Sequence, residues 1–268
     1  MKDGLFDRYE TFNFHRKGRI LTLEIDTGSP LNGVNERFHH ELGSIFYDAK
    51  DDPDSDVIIL TGKERQFCAG GDFAWFQDMI DRQDLWLKDV VPMAKRIISG
   101  LLEIEKPVIC RLNGPAAGLG ASIALLCDII VASDNVKIGD PHVKAGLVAG
   151  DGGAIIWPQL IGFARAKEML LTGKMLGAQE ACDLGLINHV VPFEELDAKV
   201  DDLATELVEG ATQAIRWTKT VMNLELLRIH AALTDAALGY ETITNASHDH
   251  QEAVTAFRER RAPRFKGR

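Results

Sequence analysis

Two glycine-rich turns and one histidine carry most of the chemistry this sequence can offer. Phe67-Cys68-Ala69-Gly70-Gly71-Asp72 follows an apolar run at 57–60, and Asn113-Gly114-Pro115-Ala116-Ala117-Gly118-Leu119-Gly120 follows another at 107–112. Each turn leads from a predicted strand into a predicted helix. Glycine lets peptide N–H groups approach a ligand closely. The first turn of a helix has free N–H donors at the positive end of its dipole. Two such turns side by side can aim two N–H groups at one oxygen, an oxyanion hole; the same glycines also read as tight turns that only reverse the chain. The spacing is neither G-x-G-x-x-G nor a Walker A loop, so it gives no support to a dinucleotide or nucleoside triphosphate site. His142, in Asp140-Pro141-His142, is of the type that titrates near pH ~6.5 when unperturbed and can act as a base at neutral pH. Asp151, in Gly150-Asp151-Gly152-Gly153, can reach back to orient that imidazole and stabilise its cation. The plainer reading is a loop histidine beside a turn aspartate, because Asp before Gly suits a turn.

These groups need a scaffold, and the patterning predicts one. Tyr9 to Ile25 alternates as a hairpin around Lys17-Gly18, and Val57–Leu60, Pro107–Leu112 and Asp128–Ser133 read as short buried strands. Helical spacing appears at 34–50, at 74–104 with a break at Pro92, and from about Gly118. Buried strands alternating with helices predict an α/β fold with mainly parallel pairing. After about Pro192 only helical patterns remain, at 193–208, 211–228, 230–246 and 249–260. The expected division is a core over 1–198 and a helical C-terminal region over 199–268. The chain has 268 residues, 46% hydrophobic and 26% charged, which is ordinary for a globular protein that needs no disulfide staple. Its net charge of −10 argues against nucleic acid or an anionic membrane as the main partner. The one basic cluster is the tail 258–268, with five Arg and Lys266. Cys68, Cys110, Cys127 and Cys182 are scattered and read as reduced thiols, and no apolar run is long enough to span a bilayer. The expected setting is cytoplasmic. His39-His40, His230, His248 and His250 lack partners at metal-ligand spacing and read as helix surface, so no metal site is expected.

The chain resembles the crotonase (enoyl-CoA hydratase/isomerase) superfamily. The resemblance rests on Leu31-Asn32-Gly33, Phe67–Asp72, Asn113-Gly114 with Gly118 and Gly120, and Cys127-Asp128-Ile129-Ile130. It continues through Gly146-Leu147, Gly152-Gly153, Leu170–Gly173, Ala181–Leu186, Val190-Val191-Pro192, Ala256-Phe257, Arg260-Arg261 and Phe265-Lys266. It implies a spiral of repeated ββα units, with C-terminal helices that build a trimer or a dimer of trimers. It implies a thioester carbonyl held by the N–H groups of Gly71 and Leu119. Gly33, Phe265 and Lys266 are the positions it associates with coenzyme A, which would come as part of the substrate and not as a resident cofactor. Trp75 and Phe76 are expected to line an acyl pocket.

The departures from that resemblance matter as much as the matches. Hydratases of the family carry two glutamates facing a water, where this chain has Ser122 and His142. Hydration needs one group to take a proton and another to give one. Ser122 is no base alone, but one turn past Leu119 it faces the same pocket and can bond a substrate oxygen or a water. The Pro141-His142 to Gly150-Asp151-Gly152 pattern, followed by Trp157-Pro158, is similar to the crotonase-fold oxocamphor hydrolase, which cleaves a carbon–carbon bond in a β-diketone with a His, an Asp and water. The expectation is therefore an acyl-CoA enzyme with water activated by His142 and Asp151. The alternatives are a CoA-independent hydrolase of β-diketones, an isomerase or dehalogenase with Asp151 as nucleophile or proton shuttle, and a binding protein that has lost activity.

Overall fold

The computed structural model describes residues 4–268. A six-stranded sheet runs in the order β1 (Phe12–Lys17), β2 (Ile20–Ile25), β3 (Val57–Gly62), β4 (Val108–Leu112), β6 (Ile129–Ser133), β9 (His189–Val191). The β1–β2 hairpin is antiparallel, and every later pair is parallel. The predicted continuous apolar run is borne out in β3, where all six residues are buried, as a strand covered on both faces requires. A small second sheet joins β5 (Ala116–Ala117), β7 (Lys137–Gly139) and β8 (Met175–Gly177). These strands of two or three residues are too short for an alternation pattern and were not expected from the sequence.

Helices cover the sheets. One face packs α1 (Glu36–Asp51), α2 (Phe73–Asp81), α3 (Val91–Glu103), α4 (Leu119–Leu125) and α5 (Gly153–Thr172) around the main core, with Phe38, Leu60, Phe67 and Trp157 fully buried. The helix α6 (Ala178–Leu184) follows β8. The other face of the sheet, including Val57, Ile59, Ile109 and Val131, is sealed by Leu196, Val200 and Ala204 of α7 (Leu196–Glu209). The predicted break near Pro92 takes the form of a π-helical stretch, Trp86–Val90, with Pro92 in the first turn of α3. The patterns at 211–228 and 230–246 are one helix, α8 (Thr212–Asn245), followed by α9 (His248–Arg258). His230, expected on the surface, bridges Ser99 and Thr234 at 2.8 and 2.6 Å, which removes the apparent break.

An ion pair, buried at Lys219 and half-buried at Asp128, ties α8 to the sheet. Lys219 Nζ lies 2.6 Å from Asp128 Oδ2 and donates to the Lys106 carbonyl at 2.9 Å, while the same Asp128 oxygen accepts from Val108 N–H at 2.7 Å. Removing the Lys219 ammonium leaves the half-buried Asp128 carboxylate without its counter-charge. Lys219→Met is expected to lower unfolding stability by about 3 kcal/mol, measured as the shift of the urea midpoint. A loss below about 1 kcal/mol would mean the pair behaves like an exposed one.

Candidate active site

The site forms where the loops after β3, β4 and β7 meet at the carboxyl ends of the strands, the usual crevice of parallel sheets. Asparagine side chains tie these loops together. Asn113 accepts from Gly62 N–H and Thr61 Oγ, and donates to the carbonyls of Gly62 and Glu64. Asn32 accepts from Thr27 N–H and donates to the carbonyls of Ile25 and Gln66. Cys68 N–H donates to Pro115 O and Ala117 N–H to Cys68 O, so the two glycine turns lie side by side. Gly70 holds φ +93°, in contact distance of the Ala117 carbonyl, which only glycine accepts without strain.

Gly71 and Leu119 end these turns. Leu119 is the first residue of α4, after Gly118 at φ 54°. Among the described residues neither the Gly71 nor the Leu119 N–H has a protein acceptor. Both residues line one cavity of about 350 Å³, within the range of small-molecule sites. Its wall is mostly apolar, with Val34, Trp75, Phe76, Trp86, Leu147 and Leu238. A Cβ on Gly71 would overlap the Phe76 ring, so that ring lies directly against the oxyanion turn. Phe73 of α2 and Phe257 of α9 stack across the mouth with centroids 3.4 Å apart and planes at 5°.

His142 stands at the polar end of this cavity. Its ring presses on Gly118, where a Cβ would meet Cε1 at 3.1 Å. Nδ1 lies 2.5 Å from Asp140 Oδ1, and Nε2 lies 3.3 Å from Asp151 Oδ2. Ser122 Oγ donates to Asp151 Oδ1 at 3.3 Å. His142 and Asp151 therefore meet, while Ser122, expected to face the pocket, is fully buried behind Asp151 and does not line the cavity. Gly152, at φ +129°, carries the chain closely over Ser122. Burial by itself favours the neutral imidazole, but the two flanking carboxylates outweigh it and raise the His142 pKa well above its ordinary value. The direction of the shift strengthens His142 as a proton acceptor, because the two carboxylates stabilise the imidazolium that forms when it takes a proton.

Three residues join the site that the sequence did not single out as functional. Asp140 is one. Glu241 of α8 is another: it is 4% exposed, lines the cavity and touches Gly150. Burial, with Asp151 nearby, pushes its carboxyl well above the usual range. The third is His39, expected on the surface but buried beside Trp75 with ring centroids 5.3 Å apart. Burial pulls its pKa down to about 4, so it is neutral. His250, also expected outside, is buried and engages the Ala145 carbonyl at 2.7 Å from Nδ1. The helix α8 also holds the site from behind, since Thr242 Oγ accepts from Trp86 Nε1 and Thr244 Oγ from Val148 N–H.

Other expected residues fall outside the cavity wall. Gly33 packs near Ser29 and Asp72, while its neighbour Val34 lines the cavity. Phe265 and Lys266 do not reach the wall. Their strand-like tail is pinned on α9, where Lys266 and Gly267 N–H donate to Asp249 at 2.7 and 2.8 Å. Arg261 and Pro263 take the place at the mouth. Cys68 is buried with its thiol pushed up to about 12, which makes it inert. Asp140, His142 and Asp151 bring ligand-type atoms within 4.8 Å of one another. Each ring nitrogen already faces its own carboxylate on opposite sides of the imidazole, an ion-pair arrangement and not a coordination shell.

The comparisons with known proteins agree with this geometry. The enoyl-CoA hydratase/isomerase family description matches residues 15–268. A probable enoyl-CoA hydratase of Mycobacterium bovis is 30% identical over 260 residues, covering 96% of this chain and 98% of that protein. An enoyl-CoA hydratase/isomerase from Mycobacterium paratuberculosis superposes with a TM-score of 0.88 at 35% identity, covering 92% of this chain and 99% of the other. A β-diketone hydrolase from the cyanobacterium Anabaena, bound to (S)-3-oxocyclohexyl acetic acid, superposes at 0.84 with 33% identity, covering 91% and 98%. The fold, the paired glycine turns and these matches along nearly the whole chain make one conclusion: the protein belongs to the enoyl-CoA hydratase/isomerase family, within the crotonase superfamily.

Proposed function

We propose that this protein hydrolyses a carbon–carbon bond in a compact β-diketone, with His142 and Asp151 activating the water. The observation that carries the reading is the imidazole clasped between two carboxylates at the polar end of an otherwise apolar cavity. It stands where the resemblance places one of the two hydratase glutamates. Ser122 stands at the other and cannot give or take a proton at neutral pH.

The water oxygen bonds to one carbonyl carbon while its proton passes to the His142–Asp151 couple. The oxyanion that forms is held by the Gly71 and Leu119 N–H groups. The bond to the central carbon then breaks, and its electron pair spreads onto the second carbonyl as an enolate. The couple returns the proton to that carbon. A cyclic substrate gives a keto acid in one piece. The ligand of the Anabaena hydrolase is such a keto acid, and removing water from it gives a bicyclic 1,3-diketone. The cavity volume suits a molecule of that size, with Trp75 and Phe76 shaping its apolar wall.

A second reading, hydration or hydrolysis of an acyl-CoA thioester, is favoured by the family match and by the free amide pair. On that reading coenzyme A enters only with the substrate, and the Phe265-Lys266 tail meets it outside the cavity. On either reading the long exposed face of α8, with Trp217, Val221 and Tyr240, is where copies of the chain assemble as a trimer or a dimer of trimers. The test is acid release from bicyclooctane-2,6-dione set beside hydration of crotonyl-CoA. Turnover of the diketone alone supports the first reading, and turnover of the thioester alone replaces it with the second.

A further inference from the structure

We propose that Asp140 is the positioning residue of this site: through His142 Nδ1 it fixes the direction of the ring and keeps Nε2 turned to Asp151 and the cavity. This rests on the reading of His142 as the proton-handling group. Three observations carry it. The Asp140 carboxylate is 1% exposed, and its Oδ1 lies 2.5 Å from Nδ1. The same oxygen accepts from the His142 backbone N–H at 3.3 Å, so it grips the residue at both ends of its side chain. Its other oxygen has no partner among the described residues and sits against Gly153, where any Cβ would overlap it.

Gly153 opens the first helical segment of α5, which runs to the kink at Gly162, where φ is 76°. The positive end of that segment's dipole therefore faces the Asp140 carboxylate. The arrangement supplies a fixed negative charge behind the imidazole, in the same relation as the buried acid of a Ser-His-Asp triad to its histidine. It also explains why residue 153 is glycine. A side chain there would push Asp140 off the helix end.

The other titratable groups facing the ring are Asp151, Glu241 of α8 and His250 of α9, with Lys144 and Arg261 lining the same cavity. Asp151 faces Nε2, and the Glu241 carboxyl, raised by burial, lies against Gly150. Asp140 is the anion on the Nδ1 side. Losing its charge removes one of two close counter-ions, which lowers the His142 pKa.

The experiment uses the full chain labelled with nitrogen-15 histidine, as wild type, Asp140→Asn and Asp140→Glu, with His142→Gln to assign the signal. The wild type is expected to show a His142 Nδ1 proton far downfield and a ring that titrates above the ordinary histidine value. Asp140→Asn is expected to lose that proton signal and to lower the His142 titration by about one unit or more. Its kcat on bicyclooctane-2,6-dione falls at least about tenfold with little change in KM, and Asp140→Glu recovers part of both effects. A wild-type His142 with no downfield proton would overturn the proposal without any variant. So would an Asp140→Asn protein whose His142 titrates as in the wild type. If the diketone is not turned over at all, the proposed reaction fails, while the titration still decides the role of Asp140.

Discussion

His142→Gln is expected to fold and to lose about 10³-fold or more of its kcat on the substrate it normally turns over. Positioned proton transfer contributes roughly 10²–10⁴ in rate. Glutamine fills similar space and can donate a hydrogen bond, but it cannot carry the proton taken from water. Loss of about 10³ corresponds to roughly 4 kcal/mol of barrier. The variant also separates catalysis from stability. In the wild type the folded-state pKa of His142 is raised above the ordinary value of 6.5. That interaction stabilises the fold fully below the unfolded value and fades as pH rises through the folded one. The stability gap between wild type and His142→Gln is therefore expected to be larger at pH ~6 than at pH ~9, read from urea midpoints. A gap that widens toward alkaline pH would mean that His142 folds as the neutral base.

Gly120→Ala is expected to damage both stability and rate, although residue 120 bonds no substrate. Its Cβ would overlap the Cys68 carbonyl oxygen, which is backbone and cannot swing aside. Relief requires α4 to move away from the turn that carries Gly71. Overpacking of this kind costs about 1–3 kcal/mol of stability. The same movement pulls the Leu119 N–H away from the Gly71 N–H, and loss of one oxyanion donor costs roughly 10²–10³ in kcat. Ser122→Ala, on the same short helix but facing Asp151, provides the contrast, because it removes one 3.3 Å hydrogen bond and creates no clash. A Gly120→Ala protein with wild-type kcat would separate the amide pair from the chemistry.

The parts of this site that were legible in the sequence are those where local geometry restricts the residue type. Gly70 and Gly118 need positive φ, and Gly71 and Gly120 sit where backbones or rings pass too closely for a side chain. The parallel strands were legible because β3 and β4 are buried on both faces. His142 and Asp151 were legible as a pair because a single glycine-rich turn joins them. Asp140 was hidden by its place before Pro141, where an aspartate reads as a turn residue. Glu241 was hidden differently. It lies far along the chain in a polar-looking stretch of α8, and only the packing of that helix behind Gly150 brings it to the cavity. His39, His230 and His250 failed as surface residues for a related reason. A helix pattern counts histidine as polar, yet each of these is buried with an aromatic, hydroxyl or carbonyl neighbour. The coenzyme A positions at Phe265 and Lys266 rested on resemblance, and the tail's own hydrogen bonds to Asp249 place them on α9 and not in the cavity wall.

The most direct test of the account is to supply bicyclooctane-2,6-dione to the wild type and to His142→Gln and follow formation of (3-oxocyclohexyl)acetic acid by proton release and chromatography. Enzyme-dependent keto acid is expected from the wild type, with at least about a 10³-fold slower rate from the variant. Equal rates from the two proteins would contradict it, and so would a wild type that hydrates crotonyl-CoA while leaving the diketone intact.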